Sequence, residues 1–175
     1  MNELFEISKY LLPLIVLLVA VMIILNHFAK KEKLNLKYDV IRANNKLITP
    51  IRLQAYERII LFLERIRPDA LALRLTKPGM TSKHLQLSML SAVRNEFNHN
   101  LAQQIYLTDE TWAAVVYAKE QITRLINLTG SKIDPNLKSN AFTAVLIDSY
   151  NEIDTKPVET CVGIVKNEAA QFFGI

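Results

Sequence analysis

The chain has 175 residues, half of them apolar, with 21 basic against 17 acidic side chains and a net charge of +4. That length suits one compact domain with an appendage. Residues 29–42 alone carry a net charge of +3, so the basicity is local and argues against a nucleic-acid surface.

The first nine residues carry Glu3, Glu6 and Lys9 and read as a short exposed segment. From Tyr10 to Phe28, "YLLPLIVLLVAVMIILNHF" has no charged side chain, and 12 of the 15 residues from Leu11 to Leu25 are Leu, Ile or Val. As a helix this run is about 28 Å long, close to the hydrocarbon thickness of a bilayer. Its insertion is worth on the order of 5 kcal/mol. Pro13 falls in the first turn, where a missing N–H costs little. A transmembrane helix over 10–28 is therefore expected. A cleaved secretory signal would want a basic N-terminal region and small residues before the cut. A buried core helix apolar all round seldom fits a small soluble domain.

The basic residues follow the run: Lys30, Lys31, Lys33, Lys37 and Arg42 stand against Glu32 and Asp39. By the positive-inside rule the N-terminus faces out, and the rest of the chain lies in the cytoplasm at a bacterial inner membrane. Lys30, Lys31, Lys33 and Lys37 are expected to meet anionic lipid headgroups. Residues 29–48 read as a juxtamembrane helix or linker. The spacing Leu34, Tyr38, Ile41 and Ile48 approximates a heptad seam with Asn45 between, through which two copies could pair.

Thr49 and Pro50 read as an N-cap and first helical position, opening a helix through Ile66. Its buried stripe is Ile51, Ala55, Ile59, Phe62 and Ile66, widened by Tyr56, Ile60 and Leu63. Residues 67–82, with Pro68, Pro78 and Gly79, are the most loop-like part of the body, although "DALALRL" could form a turn or two. Thr81 or Ser82 caps a helix to about Ile105, with Leu90, Phe97, Leu101 and Ile105 on its core side. Thr108 caps the next, with Asp109 and Glu110 in its first turn and Gly130 as its stop. Asp134 followed by Pro135 opens another, burying Leu137, Ala141, Val145 and Ile147. From Pro157 the last carries Val158, Val162, Val165, Ala169 and Phe172, with Gly174 after its end. No stretch alternates with a period of two. The expected body, 49–175, is an all-α bundle of about five helices.

"NEFNHNLAQQIY", residues 95–106, places Glu96 and His99 on one helix face, half of a di-iron ligand set. His27 and His84 are the only other histidines and neither completes it. The lone Cys161 cannot form an internal disulfide, and the four glycines are too scattered for a phosphate loop. No cofactor, metal or catalytic activity is expected.

Two strings, "PIRLQAYERIILFLERI" (50–66) and "EFNHNLAQQIYLTDETW" (96–112), behind an apolar N-terminal run, resemble an uncharacterised family of small membrane-anchored helical proteins of Bacteroidota. Asn98 stands where that resemblance leads one to look for an acidic residue. The resemblance implies an anchored helical domain and no known activity.

The function expected is a scaffold or interaction subunit of a membrane complex, with an unidentified protein or a second copy as partner. The residues expected to touch it are Arg52, Gln54, Glu57 and Arg58 from the first string, with Glu96, His99, Asn100 and Gln103 from the second. Alternatives are a homo-oligomeric structural protein and an enzyme using His99 and Glu96.

Overall fold

The computed structural model describes the backbone of residues 2–174, and side chains at 17–19, 21–28, 30–32, 38, 42 and 46–174. The chain is all-α, as its periodicity implies. The helices are α1 (Asn2–Ile66), α2 (Pro68–Leu75), α3 (Ser82–Asn100), α4 (Asp109–Lys132), α5 (Ser139–Asn151) and α6 (Pro157–Phe173), with a 3₁₀ turn over Leu101–Tyr106. The single β-type contact among the described residues is an isolated bridge between Thr81 and Lys138. The chain divides into two units, Met1–Thr49 and Pro50–Ile175.

In the first unit, among the described residues, no helix is long and apolar enough to cross a membrane. The expected span over 10–28 is thus not shown, and its side chains at 10–16 and 20 lie outside the described residues. Its large apolar side chains from Leu17 to Phe28 are exposed. Lys30, Lys31 and Tyr38 are exposed; the side chains of Lys33, Leu34, Lys37, Ile41 and Asn45 lie outside the described residues.

The expected helix start at Thr49–Pro50 is absent, because α1 runs through it. Pro50 removes one intrahelical donor. It is exposed, so water can donate to the carbonyl it frees.

The second unit is built on α4, which packs against α3, α5 and α6. Its floor is the α1 stripe: Ala55, Tyr56, Ile59, Phe62, Leu63 and Ile66 are buried, whereas Ile51 is exposed. Leu85, Met89 and Val93 of α3, with Val115, Ala118, Ile122 and Ile126 of α4, belong to the same core cluster. Burying each such side chain contributes about 1.5–3 kcal/mol. The caps at Thr81 and Thr108 form as expected, each hydroxyl accepting the N–H three residues on. Gly174 ends α6 in the left-handed region at φ +71°, a conformation open to glycine.

The turn or two of helix allowed for "DALALRL" forms as α2, with Pro68 at its first position and Leu71 and Ala72 buried. Four local expectations are corrected. Asp134–Pro135 opens no helix: Asp134 Oδ1 accepts the Asn136 N–H at 2.9 Å, making a turn. The carbonyls of this turn instead serve the start of α3, where Ser82 and Lys83 donate to Leu137 and Pro135 at 2.7 and 3.1 Å. These are N–H groups a helix cannot satisfy internally. Helix α5 therefore starts at Ser139, and the face it buries is Phe142, Leu146 and Tyr150 rather than Leu137, Ala141, Val145 and Ile147.

Gly130 does not stop α4, which continues to Lys132. A Cβ there would land on the Gln86 carboxamide, so glycine serves close packing of α4 on α3. Finally, α3 gives way to the 3₁₀ turn at Leu101, and the change from 3.6 to 3.0 residues per turn rotates Leu101 and Ile105 to exposed positions. The deep face of α3 is Leu85, Met89 and Val93.

Candidate functional site

The last turns of α1 and of α3 run side by side and enclose an open hollow of about 480 Å³. Helix α1 supplies Arg58, Leu61, Phe62 and Arg65 to its wall; α3 supplies Asn95, Glu96, His99 and Asn100. Spacings of three and four residues put each set on one helix face. Glu96 stands at the edge of the hollow, held by two guanidinium groups: Arg65 at 2.7 Å and Arg74 of α2 at 3.1 Å. Both bonds fall on Oε1. Arg74 also donates to the Arg65 carbonyl at 3.3 Å, tying the end of α1 to α2. His99 is exposed. Asn100 is buried, and its Nδ2 donates to the Glu96 carbonyl at 2.8 Å, which fits a role in ending α3. Four of the eight expected contact residues, Arg58, Glu96, His99 and Asn100, thus come together. Among the described residues no group of three or more His, Cys, Asp or Glu side chains is placed to hold a metal ion.

Arg52 belongs elsewhere. Its Nε donates to the Tyr106 carbonyl at 2.8 Å, its Nη2 reaches Glu168 at 3.5 Å, and its guanidinium lies 4.0 Å over the Phe172 ring. Glu168 is the hub of that cluster. Tyr56 donates its hydroxyl at 2.8 Å, and Thr108 donates its hydroxyl at 2.8 Å and its N–H at 3.1 Å. A carboxylate from α6 thereby sits at the N-terminus of α4, where orphan N–H groups and the helix dipole favour a negative charge. Burial alone would raise the Glu168 carboxyl. Hydrogen bonds from Thr111, Thr108 and Tyr56 outweigh it and hold it below the usual carboxylate range. The same arrangement pushes the Tyr56 phenol up, through burial first and then the neighbouring carboxylate.

Gln54 and Glu57 are exposed on α1, and Gln103 is half-buried in the 3₁₀ turn. Glu57 borders a second, mostly apolar groove between α1 and α6, lined by Ile60, Leu61, Glu64, Val165 and Ala169. Leu61, which is exposed, forms the ridge between this groove and the hollow.

Glu168, Thr108 and Phe172 around Arg52, and Arg65 and Arg74 around Glu96, were not among the expected site residues. A signal for the first existed. Glu168 falls three residues after Val165 and four before Phe172, on the apolar stripe of α6, and a carboxylate on a buried stripe needs donors. For Arg65 and Arg74 the sequence holds no such signal, because their partner is 31 and 22 residues away.

The chain matches a family described as a family of unknown function (DUF7935) over residues 2–172, and it belongs to that family. No curated protein and no solved structure matches it.

Proposed function

We propose that this family member is a membrane-attached interaction subunit: the N-terminal helix holds the chain at a bilayer, and the helical unit over 50–175 recruits a protein partner through the α1–α3 hollow. No catalytic step is assigned to it. One observation carries the reading. Leu17, Leu18, Val19, Val21, Met22, Ile23, Ile24, Leu25 and Phe28 are each between 44 and 64 % exposed. Consecutive positions point all round a helix, so no single face could bury them. Left in water, they forgo on the order of 10 kcal/mol of burial. A lipid phase supplies that burial without a protein core. Exposed Lys30 and Lys31 directly follow and suit anionic headgroups, Lys33 and Lys37 extending the same basic run. The positive-inside rule then puts the helical unit in the cytoplasm and the N-terminus outside.

Flotation of the full-length protein with vesicles tests the first half. The protein is expected to rise with neutral vesicles and to stay bound in high salt, with phosphatidylserine increasing the bound fraction. Recovery of the uncleaved chain in the detergent-free soluble fraction after lysis overturns the reading. The second half is tested by purification in mild detergent. Proteins that co-purify with the wild type should be lost when the exposed or half-buried contact residues Gln54, Glu57, Arg58, Glu96, His99 and Gln103 are all substituted.

A self-association reading draws on exposed Tyr38, Leu47 and Ile48 on the helix after the basic run. Sedimentation in density-matched detergent separates the two, since a monomer at high micromolar concentration removes the homo-oligomer.

A further inference from the structure

We infer that the α1–α3 hollow is a receptor for a short acidic peptide segment, one whose carboxylate pairs with Arg58 while a neighbouring apolar side chain lies on Leu61. This rests on the interaction-subunit reading and names the chemistry of the partner.

Two guanidinium groups, Arg58 and Arg65, line the hollow against one carboxylate, Glu96, which a third guanidinium, Arg74, also engages. The local balance is cationic even with His99 neutral. Glu96 engages Arg65 and Arg74 through one oxygen, yet among the described residues Arg58 has no carboxylate within 4.0 Å. Arg58 is nonetheless half-buried and faces the hollow. A guanidinium at the wall of a hollow with its donors unpaired by carboxylate is a fork open to a planar, bidentate anion.

Two features select a peptide carboxylate over a phosphate group. Glu96 already sits at the cationic cluster, and its charge opposes a dianion more than a monoanion. Leu61, which is exposed above the buried Phe62, gives the hollow an apolar wall beside the fork. A phosphate has nothing to place there; a Leu or Phe next to a Glu or Asp does. The volume of about 480 Å³ falls within the range of roughly 300–1,000 Å³ typical of ligand sites. Asn95 and His99 at the rim add donors and acceptors for the backbone of an extended segment.

The test is fluorescence anisotropy of a fluorescein-labelled Glu-Leu-Glu-Phe-Asp peptide against the full-length protein in mild nonionic detergent. Saturable binding in the micromolar range is expected, weakening as salt rises. Arg58→Gln should weaken it about tenfold. Glu96→Gln should move it the other way, tightening it about threefold, because the competing carboxylate is gone. That opposite sign is an effect a misfolded variant does not produce, and Trp112 fluorescence checks the fold of both. A scrambled-charge peptide with Lys for each acid should not bind. Failure of the acidic peptide to bind, equal affinity for Arg58→Gln, or displacement by inorganic phosphate beyond that by chloride at matched ionic strength overturns the inference. Co-purified proteins lost from the surface-substituted chain while the peptide fails to bind would sink this site chemistry alone. Retention of those proteins would sink the interaction reading itself.

Discussion

Replacing Glu168 tests how far one carboxylate ties α6 to α4. In Glu168→Ala the buried Tyr56 hydroxyl loses its acceptor, which costs about 1–3 kcal/mol when nothing replaces it. The Thr108 N–H and hydroxyl are exposed and regain water, so their loss is closer to that of a helix cap, about 1 kcal/mol. Together these give about 3 kcal/mol, a large fraction of the roughly 5–15 kcal/mol typical of a domain. The assay is urea unfolding of the full chain in mild detergent followed by Trp112, the single tryptophan, which stacks on Phe97 at a centroid distance of 5.6 Å. Glu168→Gln separates charge from shape. The folded carboxyl titrates below its unfolded value of about 4.3. Its contribution is therefore complete above that pH and disappears as the pH falls through the lowered folded value. Wild type should lose this increment in acid and Glu168→Gln should lack it throughout. Coincident urea curves for wild type and Glu168→Ala near neutral pH, or an identical acid loss in Glu168→Gln, would refute the reasoning.

Gly130→Ala should destabilise by about 1–2 kcal/mol despite alanine's better helix propensity, because its methyl meets Gln86. In a Gln86→Ala background the same substitution should turn neutral or stabilising, which urea midpoints of the four proteins would show. Burial pushes the Cys161 thiol up to about 12. An aromatic disulfide reagent should therefore react with it only on unfolding, at a rate tracking the urea curve; a fast reaction under native conditions would contradict its buried position. Asp134→Ala removes the acceptor for the Asn136 N–H and should cost about 0.5–1 kcal/mol. Glu96→Gln should change the urea midpoint little, since its ion pairs are partly exposed.

What could be read from the sequence was what depends on neighbours along the chain. The caps at Thr81 and Thr108, Pro157 at a helix start and Gly174 at a helix end act over three or four residues, and each holds. The stripe from Ala55 to Ile66 was legible because a helix of fixed period must bury one face. The grouping of Arg58 with Glu96, His99 and Asn100 was partly legible, since each pair shares a helix face, although nothing in the sequence says that the two faces meet.

Tertiary structure decided the rest. Asp134–Pro135 carries a helix-start signal, but the chain there forms a turn whose carbonyls accept from the N–H groups of α3, and those are more than 50 positions away. Gly130 carries a stop signal that packing against Gln86 overrides. Glu168 looks like a misplaced charge on α6 until the start of α4 arrives to donate to it. Local propensity is worth about 1 kcal/mol per residue or less. A buried contact or an unpaired buried donor is worth about 1–3 kcal/mol, so where the two disagreed, the long-range partner prevailed.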